Sequence, residues 1–161
     1  MSALNTLENL IYRIIFDENY TEGQAIIDTN NLEIVLYQTL PNEDGSAGQE
    51  FATDVSAQGY APVPIIENGN NKFASVSNSV ITPFDGSAFT SWENVEKLNF
   101  GENTGNSDWP VVVGWGIKHS VNNTIYLADV FRDSSLQGIS YTVVTGKEFL
   151  IPSGSFIFAI D

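Results

Sequence analysis

From Thr29 to its end, the chain is a series of short apolar runs separated by clusters of Gly, Asn, Asp, Ser and Pro. Short β-rich runs between such turn clusters are typical of an all-β sandwich or barrel. Pro62 and Pro64 cannot donate ladder hydrogen bonds, so the run that holds them is expected at a sheet edge or only partly in a strand. The predicted strands are 32–39, 49–55, 60–66, 73–81, 97–100, 110–119, 124–131, 140–145, 148–151 and 155–160.

The N-terminal segment has a different pattern, because its apolar residues recur at spacings of three and four. That spacing predicts one amphipathic helix from Leu4 to Phe16. A helix of about 14 residues is marginal alone in water, so its apolar stripe has to pack on its own sheet or on a neighbouring chain. The stripe is therefore a candidate interface, and it contains Leu4, Leu7, Leu10, Ile11 and Ile14.

A chain of 161 residues with 42% hydrophobic content is long enough for one domain with a sizeable core. We therefore expect a single domain over 1–161. Its helix or arm, 1–20, precedes a single antiparallel β-sandwich, jelly-roll-like, over 29–161. The chain has no cysteine. Disulfides, thiolate zinc sites and cysteine nucleophiles are thereby excluded, and stability has to come from packing.

The charge balance restricts the partners. Twenty acidic residues against six basic ones give a formal net charge of −14. Nucleic-acid recognition depends on Lys and Arg that neutralise phosphates, whereas the basic residues here are scattered singly along the chain. The N-terminus lacks the pattern of a secretory signal, and no window reaches the roughly 20 apolar residues that span a bilayer. We expect a soluble protein that binds neither nucleic acid nor membrane.

The segment from Asp108 to Phe131 contains the single histidine, His119, close to a turn. The segment is predicted to form two adjacent antiparallel strands joined at "SVNN". A histidine base needs a positioned nucleophile and an orienting carboxylate, and a zinc site needs further ligands of the right type. The sequence marks neither, so His119 is interpreted as a bystander. We expect no catalytic residue, metal or cofactor.

The acidic residues leave a glycosidase-like pair of carboxylates as an enzymatic hypothesis, although chance pairs are plentiful among twenty acids. Clusters such as Asp17/Glu18 and Glu43/Asp44 lie in polar loops, where nothing indicates the burial that raises a pKa. The loop 41–50 offers oxygen donors, yet it lacks the alternating pattern and terminal Glu of a calcium loop. Plain turn chemistry is favoured there.

Alternation along the strand 110–119 gives it two faces. Tryptophan and valine on such a strand are more often core than exposed. The face that carries Val111, Val113 and Trp115 is therefore predicted to point inward. The opposite face, with Val112, Gly114 and Gly116, would leave a groove of small residues where another backbone can come close. The predicted core residues are Trp115, Val111, Val113 and Tyr126.

After the N-terminal helix, the chain contains "LEIVLYQTLPNEDG", "GYAPVPI", "SDWPVVVGWGIKH", "TIYLADV" and "EFLIPSGSFIFAID" in that order. This series resembles small structural proteins of tailed-bacteriophage virions, of the tail-fibre-like or capsid decoration type. The resemblance covers nearly the whole chain, and its best part is the pair "DWP…VVGWGI…IYLADV". It implies a β-sandwich without catalytic residues that forms part of the virion, often as a trimer. The segment from Asn68 to Ser107 departs from the pattern.

The resemblance implies a non-enzymatic decoration (cement) protein, a homotrimer that bridges major capsid subunits or other virion proteins. Its acidity favours the capsid exterior over a position against packaged DNA. The alternative is a receptor- or carbohydrate-binding protein of the tail fibre or tail tip, motivated by aromatic residues near loops. A polysaccharide-degrading enzyme is a third hypothesis. The aromatic residues of the alternative are Tyr60, Phe84, Trp92 and Trp109, of which Trp92 and Trp109 are also candidate interface residues.

Overall fold

The computed structural model describes residues 31–42, 44, 46, 48–51, 57–68, 70–76, 91–135 and 137–158. Within these ranges the chain is mainly β, without an α-helix, and the predicted helix of 1–20 lies outside them. The strands are β1 (Leu32–Thr39), β2 (Gln49–Glu50), β3 (Val63–Pro64), β4 (Ile66–Glu67), β5 (Asn70–Asn71), β6 (Phe73–Val76), β7 (Ser91–Asn94), β8 (Leu98–Glu102), β9 (Gly114–His119), β10 (Ile125–Arg132), β11 (Gly138–Ile139), β12 (Glu148–Ile151) and β13 (Ile157–Phe158).

The longest strands form one antiparallel sheet with the order β11-β10-β9-β1-β2, and β3 also pairs with β1. Smaller antiparallel sheets are formed by β12-β8, β13-β7-β6 and β4-β5. The hairpin predicted at "SVNN" is confirmed as the connection between β9 and β10. Asn123 takes a left-handed conformation in this turn, with φ of 59°, which asparagine tolerates better than most residues.

Both faces of β1 are buried. Leu32, Ile34 and Leu36 belong to the main hydrophobic cluster, as their spacing of two requires. Val35 and Tyr37 point the other way and are 0% and 1% exposed. A strand that is buried on both faces has no solvent-exposed side on which polar residues would alternate with apolar ones. This explains why "LEIVLY" is almost continuously apolar.

The main cluster joins the large sheet to the smaller ones. It contains residues of β1, β9 and β10 together with residues of β8 and β12. Aromatic rings make many of these contacts: the ring centroids of Trp115 and Phe156 are 4.7 Å apart, and those of Phe100 and Phe149 are 5.7 Å apart. Trp115 and Tyr126 are buried, with exposures of 4% and 9%. Tilted and edge-on ring pairs add to the stabilisation from burial.

The predicted strands agree with the structure to different degrees. The bounds of β1 and β12 are those predicted, and 60–66 is only partly in strands, as its prolines require. The strand predicted over 140–145 is wrong. There Tyr141 makes an isolated bridge with Val112, because the segment that it faces is not a regular strand. The sequence pattern also misses β7 and the hairpin of β4 and β5.

The predicted inward face of 110–119 is corrected at its beginning. Val111 is 47% exposed and Val112 is fully buried, while Val113 is half-buried. The reason is an irregularity at Val113, whose N–H donates to Tyr37 O (2.9 Å) while its carbonyl accepts from Phe131 N (3.4 Å). In a regular antiparallel strand the N–H and C=O groups of one residue point to the same neighbouring strand. The alternation that holds from Gly114 therefore cannot be extended back to Val111.

The predicted groove of small residues on β9 is filled by the chain itself. A Cβ atom on Gly116 would lie 2.7 Å from Cε2 of Tyr37, and one on Gly114 would collide with the Asp129 carbonyl oxygen. Leu40 also approaches Gly114. Both glycines are therefore required for close approach within the sheet, and they leave no opening for a second chain.

Candidate functional site

The predicted interface residues are only partly described. Leu4, Leu7, Leu10, Ile11 and Ile14 lie outside the described residues, as does Phe84. Of Trp92 the structure describes the backbone, which pairs with Ser75 and Phe158 in β6 and β13. The interface predicted on these residues therefore stays a prediction.

Trp109 does not lie at a surface. It is 2% exposed, and its indole N–H donates to the carbonyl of Gln58 (2.9 Å). Its ring packs against Phe51 and Tyr60 with centroid distances of 5.9 and 6.0 Å. A tryptophan whose ring and polar group are both engaged cannot stack on a sugar. The prediction of Trp109 as an interface residue is corrected to a core residue.

His119 has a structural contact at the end of β9. It is half-buried, and its Nδ1 accepts from the backbone N–H groups of Val121 (3.2 Å) and Asn122 (3.4 Å). These bonds satisfy donors that a tight turn leaves without strand partners. The side chain stabilises the β9–β10 turn.

The sequence analysis missed a buried ion cluster on the second face of the large sheet. Lys118 Nζ lies 2.8 Å from Oε1 and 2.9 Å from Oε2 of Glu50, and 3.4 Å from Oε1 of Glu33. The three side chains are 9%, 12% and 18% exposed, in that order. Because they belong to β9, β2 and β1, the cluster ties three strands together. One cation faces two carboxylates, so the cluster carries a formal charge of −1.

Two tyrosine hydroxyls lie near this cluster. Tyr60 Oη accepts from the backbone N–H of Leu36 (3.0 Å), whereas Tyr37 Oη has no hydrogen-bond partner among the described residues. Burial, and secondarily the charge of Glu50, raises the pKa of Tyr37 above its ordinary value of 10.0. Burial also raises the pKa of Tyr60, against the lowering effect of the Leu36 hydrogen bond. Both phenols are therefore uncharged at neutral pH.

The hydroxyl of Tyr60 acts as part of the sheet. β3 pairs with Glu33 and Ile34 of β1, and β2 pairs with Tyr37 and Thr39. Leu36 lies between these two pairings, and its N–H points to the same edge. The phenol thus supplies an acceptor where neither short strand does, as buried backbone groups require.

Two buried asparagines hold loops in place. Asn94, 0% exposed, donates from Nδ2 to Glu96 O (2.7 Å) and Pro152 O (2.8 Å), and its Oδ1 accepts from Phe156 N (2.8 Å). Each side-chain group has a partner, so the burial of this amide carries no unpaired cost.

Asn103 is also 0% exposed. Its Nδ2 donates to Ser107 O (2.9 Å) and Val143 O (3.0 Å), and its Oδ1 accepts from Gly105 N (2.9 Å). It therefore ties its own loop to the segment around Val143, a residue of the main hydrophobic cluster. No local pattern marked either asparagine as a link between segments, because the bonds to Pro152, Phe156 and Val143 span 40 positions or more.

The loop 41–50 shows turn chemistry where it is described. Asp44 Oδ1 accepts from Ser46 N (2.9 Å), and Asn42 N donates to Ser46 O (2.8 Å). The hydrogen bonds from Ser46 lower the pKa of Asp44. Side chains that bond the backbone two residues on are typical of Asx turns. In the described ranges no group of three or more His, Cys, Asp and Glu side chains could hold a metal ion.

An open concavity lies beside β3 and β8. Its lining includes Pro62, Pro64, Lys72, Glu96 and Lys97. Lys72 is buried apart from a small fraction of its side chain and pairs with Glu67 at 2.6 Å. The most buried cation of this surface is thus already neutralised.

No family model matches this chain, and no curated protein is detectably similar to it. Among the described residues, no helix has the length and apolar character needed to cross a membrane.

Proposed function

We propose that this protein is a non-enzymatic structural component of a tailed-bacteriophage virion. It decorates the outside of the capsid and bridges major capsid subunits, as a homotrimer. The complete fold in this proposal is a single jelly-roll-like β-sandwich that an N-terminal amphipathic helix precedes.

The observation that carries the proposal is the way in which the segments behind the resemblance pack on one another. Tyr60 of "GYAPVPI" contacts Trp109 of "SDWPVVVGWGIKH", with centroids 6.0 Å apart. Trp115 of the same segment contacts Phe156 of the last segment, at 4.7 Å. These contacts place aromatic residues of the segments in one core. In this proposal the loops and sheet edges outside that core make the contacts with the shell.

The charged side chains support the same proposal, because those with described contacts serve structural purposes. Lys118 holds β1 and β2 through Glu33 and Glu50. Asp133 accepts from the N–H groups of Ser135 (2.8 Å) and Gln137 (3.0 Å) and so caps the turn between β10 and β11. An active site instead needs such groups aimed at a substrate.

The net charge of −14 supports the exterior position. A strongly acidic protein is repelled by packaged DNA, and this repulsion is long-ranged at low ionic strength. Repeated symmetric contacts on a shell also let a weak individual contact give firm attachment.

The tail-tip alternative loses part of its motivation. It depends on exposed aromatic platforms, and Trp109 is a core residue while Tyr60 packs between Phe51 and Trp109. Its remaining residues, Phe84 and the side chain of Trp92, lie outside the described residues.

Gold-labelled antibody on intact particles tests the location. We expect label over the whole head; label confined to the tail would overturn the capsid position.

Heating particles with and without the protein tests the cementing role. Shells that lack the protein should release DNA at a lower temperature, and equal release temperatures would contradict bridging.

A further inference from the structure

We propose that the outer edge of β10, in the short stretch around Ala128, receives an extended, basic segment of a partner protein as an added antiparallel strand. The inference rests on the proposed function, because it names what the virion partner supplies to the contact. Addition of a strand to a sheet edge is a general mode of protein recognition in which backbone hydrogen bonds give affinity.

β10 is paired over most of its length on one side and at its end on the other. On the inner side β9 pairs with Ile125 and with 127–130. On the outer side, among the described residues, β11 pairs with Phe131 and Arg132. The preceding part of the outer edge therefore has no strand beside it within the described ranges. An unpaired edge is a template for another strand.

The direction of the backbone groups follows from one hydrogen bond. Phe131 N donates to Val113 O (3.4 Å), so Phe131 faces the β9 side. Backbone groups alternate along a strand, so Ala128 and Val130 direct theirs to the outer edge. Ala128 is partly exposed, and its N–H and C=O have no partner among the described residues. They are the donor and acceptor that an incoming strand would use.

The edge is bounded on both sides of Ala128. A bulge lies between Ile125 and Leu127, and bulges interrupt pairing. On the other side, Val130 N donates to Asp129 Oδ1 (2.7 Å), so this donor is already satisfied. The open stretch is therefore short and centred on Ala128. A short pairing gives weak affinity alone and firm attachment when it is repeated over a symmetric shell.

Charge favours a basic partner over a second copy of this chain. A second copy brings another net charge of −14. Antiparallel pairing of two copies about Ala128 would also place both Asp129 carboxylates along one contact. A segment with Lys or Arg instead gains from the negative potential as it approaches.

The experiment compares two substitutions at Ala128. Ala128→Pro removes the outward N–H and blocks an added strand, while the bonds of β10 to β9 do not use that group. Ala128→Ser keeps the N–H and serves as the matched control. Purified wild-type and variant proteins are mixed with particles assembled without the protein, and bound protein is measured by co-sedimentation at increasing salt concentration.

We expect wild type and Ala128→Ser to bind equally, Ala128→Pro to lose at least tenfold in affinity, and binding to weaken with salt. Equal binding of Ala128→Pro would overturn the added strand and leave the proposed function intact. Absence of wild-type binding would overturn both. Binding that salt does not weaken would overturn the basic partner. Wild-type self-association that Ala128→Pro abolishes would assign the edge to a second copy.

A second measurement covers the case in which Ala128→Pro does not fold. Amide hydrogen exchange of the wild-type chain is followed, free and bound to the same particles. We expect the Ala128 amide to become at least tenfold more protected on binding, and unchanged exchange at this amide would overturn the proposal.

Discussion

The two edges of the large sheet differ in how they are closed. The outer edge of β1 is covered by β3 and β2, and the Tyr60 hydroxyl fills the position between them at Leu36. The outer edge of β10 is paired by β11 at its end and has no described strand beside Ala128. Closing the first edge uses a buried phenol and an ion cluster, whereas the second has a bulge and one carboxylate. Among the described residues, the outer edge of β1 is therefore closed, and the outer edge of β10 is open beside Ala128.

The largest effect is expected at the ion cluster of the closed edge. Lys118→Met leaves Glu50 and Glu33 buried without a cation, so the free energy of unfolding should fall by about 3–5 kcal/mol, measured by urea denaturation. Combining Lys118→Met with Glu50→Gln and Glu33→Gln should restore at least half of that loss. A fall below about 1 kcal/mol, the range of exposed ion pairs, would contradict the role of the cluster.

The two tyrosines of the closed edge should respond differently to loss of the hydroxyl. Tyr60→Phe leaves the Leu36 N–H without its acceptor and should lower the free energy of unfolding by about 1–3 kcal/mol. Tyr37→Phe removes a buried hydroxyl without a described partner, so stability should stay equal or rise. Urea denaturation of both variants measures the difference, and equal losses would show that Tyr60 does not act as part of the sheet.

Alkaline pH should lower the free energy of unfolding through the same two tyrosines. The folded chain raises the pKa values of Tyr37 and Tyr60 above 10.0, so it holds these protons more tightly than the unfolded chain does. Their contribution to stability is complete below pH 10 and is lost as pH rises above it, by up to about 1.4 kcal/mol per pH unit for each proton. Denaturation across this pH range measures the slope. Tyr37→Phe should reduce it, and an unchanged slope would contradict the assignment.

The smallest effect on stability is expected at the open edge. Asp129→Ala removes the bonds to Val130 N and Arg132 Nη2 and should cost about 1 kcal/mol. It also frees a further edge donor, so self-association should increase in sedimentation velocity. Asp44→Ala, which removes a turn carboxylate from the loop before β2, beside the other edge of the sheet, is the control. Equal association of both variants would show that Asp129 does not protect the edge.

Local patterns predict the fold where burial follows the strand period. β1 and β12 are such elements, and so is the hairpin at "SVNN", whose turn residues act locally. The pattern fails at Val113, because the reversal of its backbone groups is set by Tyr37 and Phe131 on two other strands. It also fails for β4 and β5, because strands of two residues are too short to show an alternation; their pairing is local, and Asn68 between them takes a left-handed conformation with φ of 52°.

The buried polar contacts could not be predicted in the same way. Lys118 and Glu50 are separated by 68 positions, and nothing near either residue indicates the other. The available signal is weaker: Glu33 and Lys118 are single opposite charges inside apolar runs. Such charges are rarely buried without a partner, so each indicates that a partner exists without identifying it.

The side-chain hydrogen bonds of the two buried asparagines have a consequence for the environment in which this fold is stable. In a chain without cysteine, Asn94 and Asn103 join segments distant in sequence through amide hydrogen bonds. Thiols and oxidants do not act on such bonds, unlike disulfides, whose state follows the redox potential of the compartment. This chain can therefore pass from a reducing medium to an oxidising one with these hydrogen bonds unchanged.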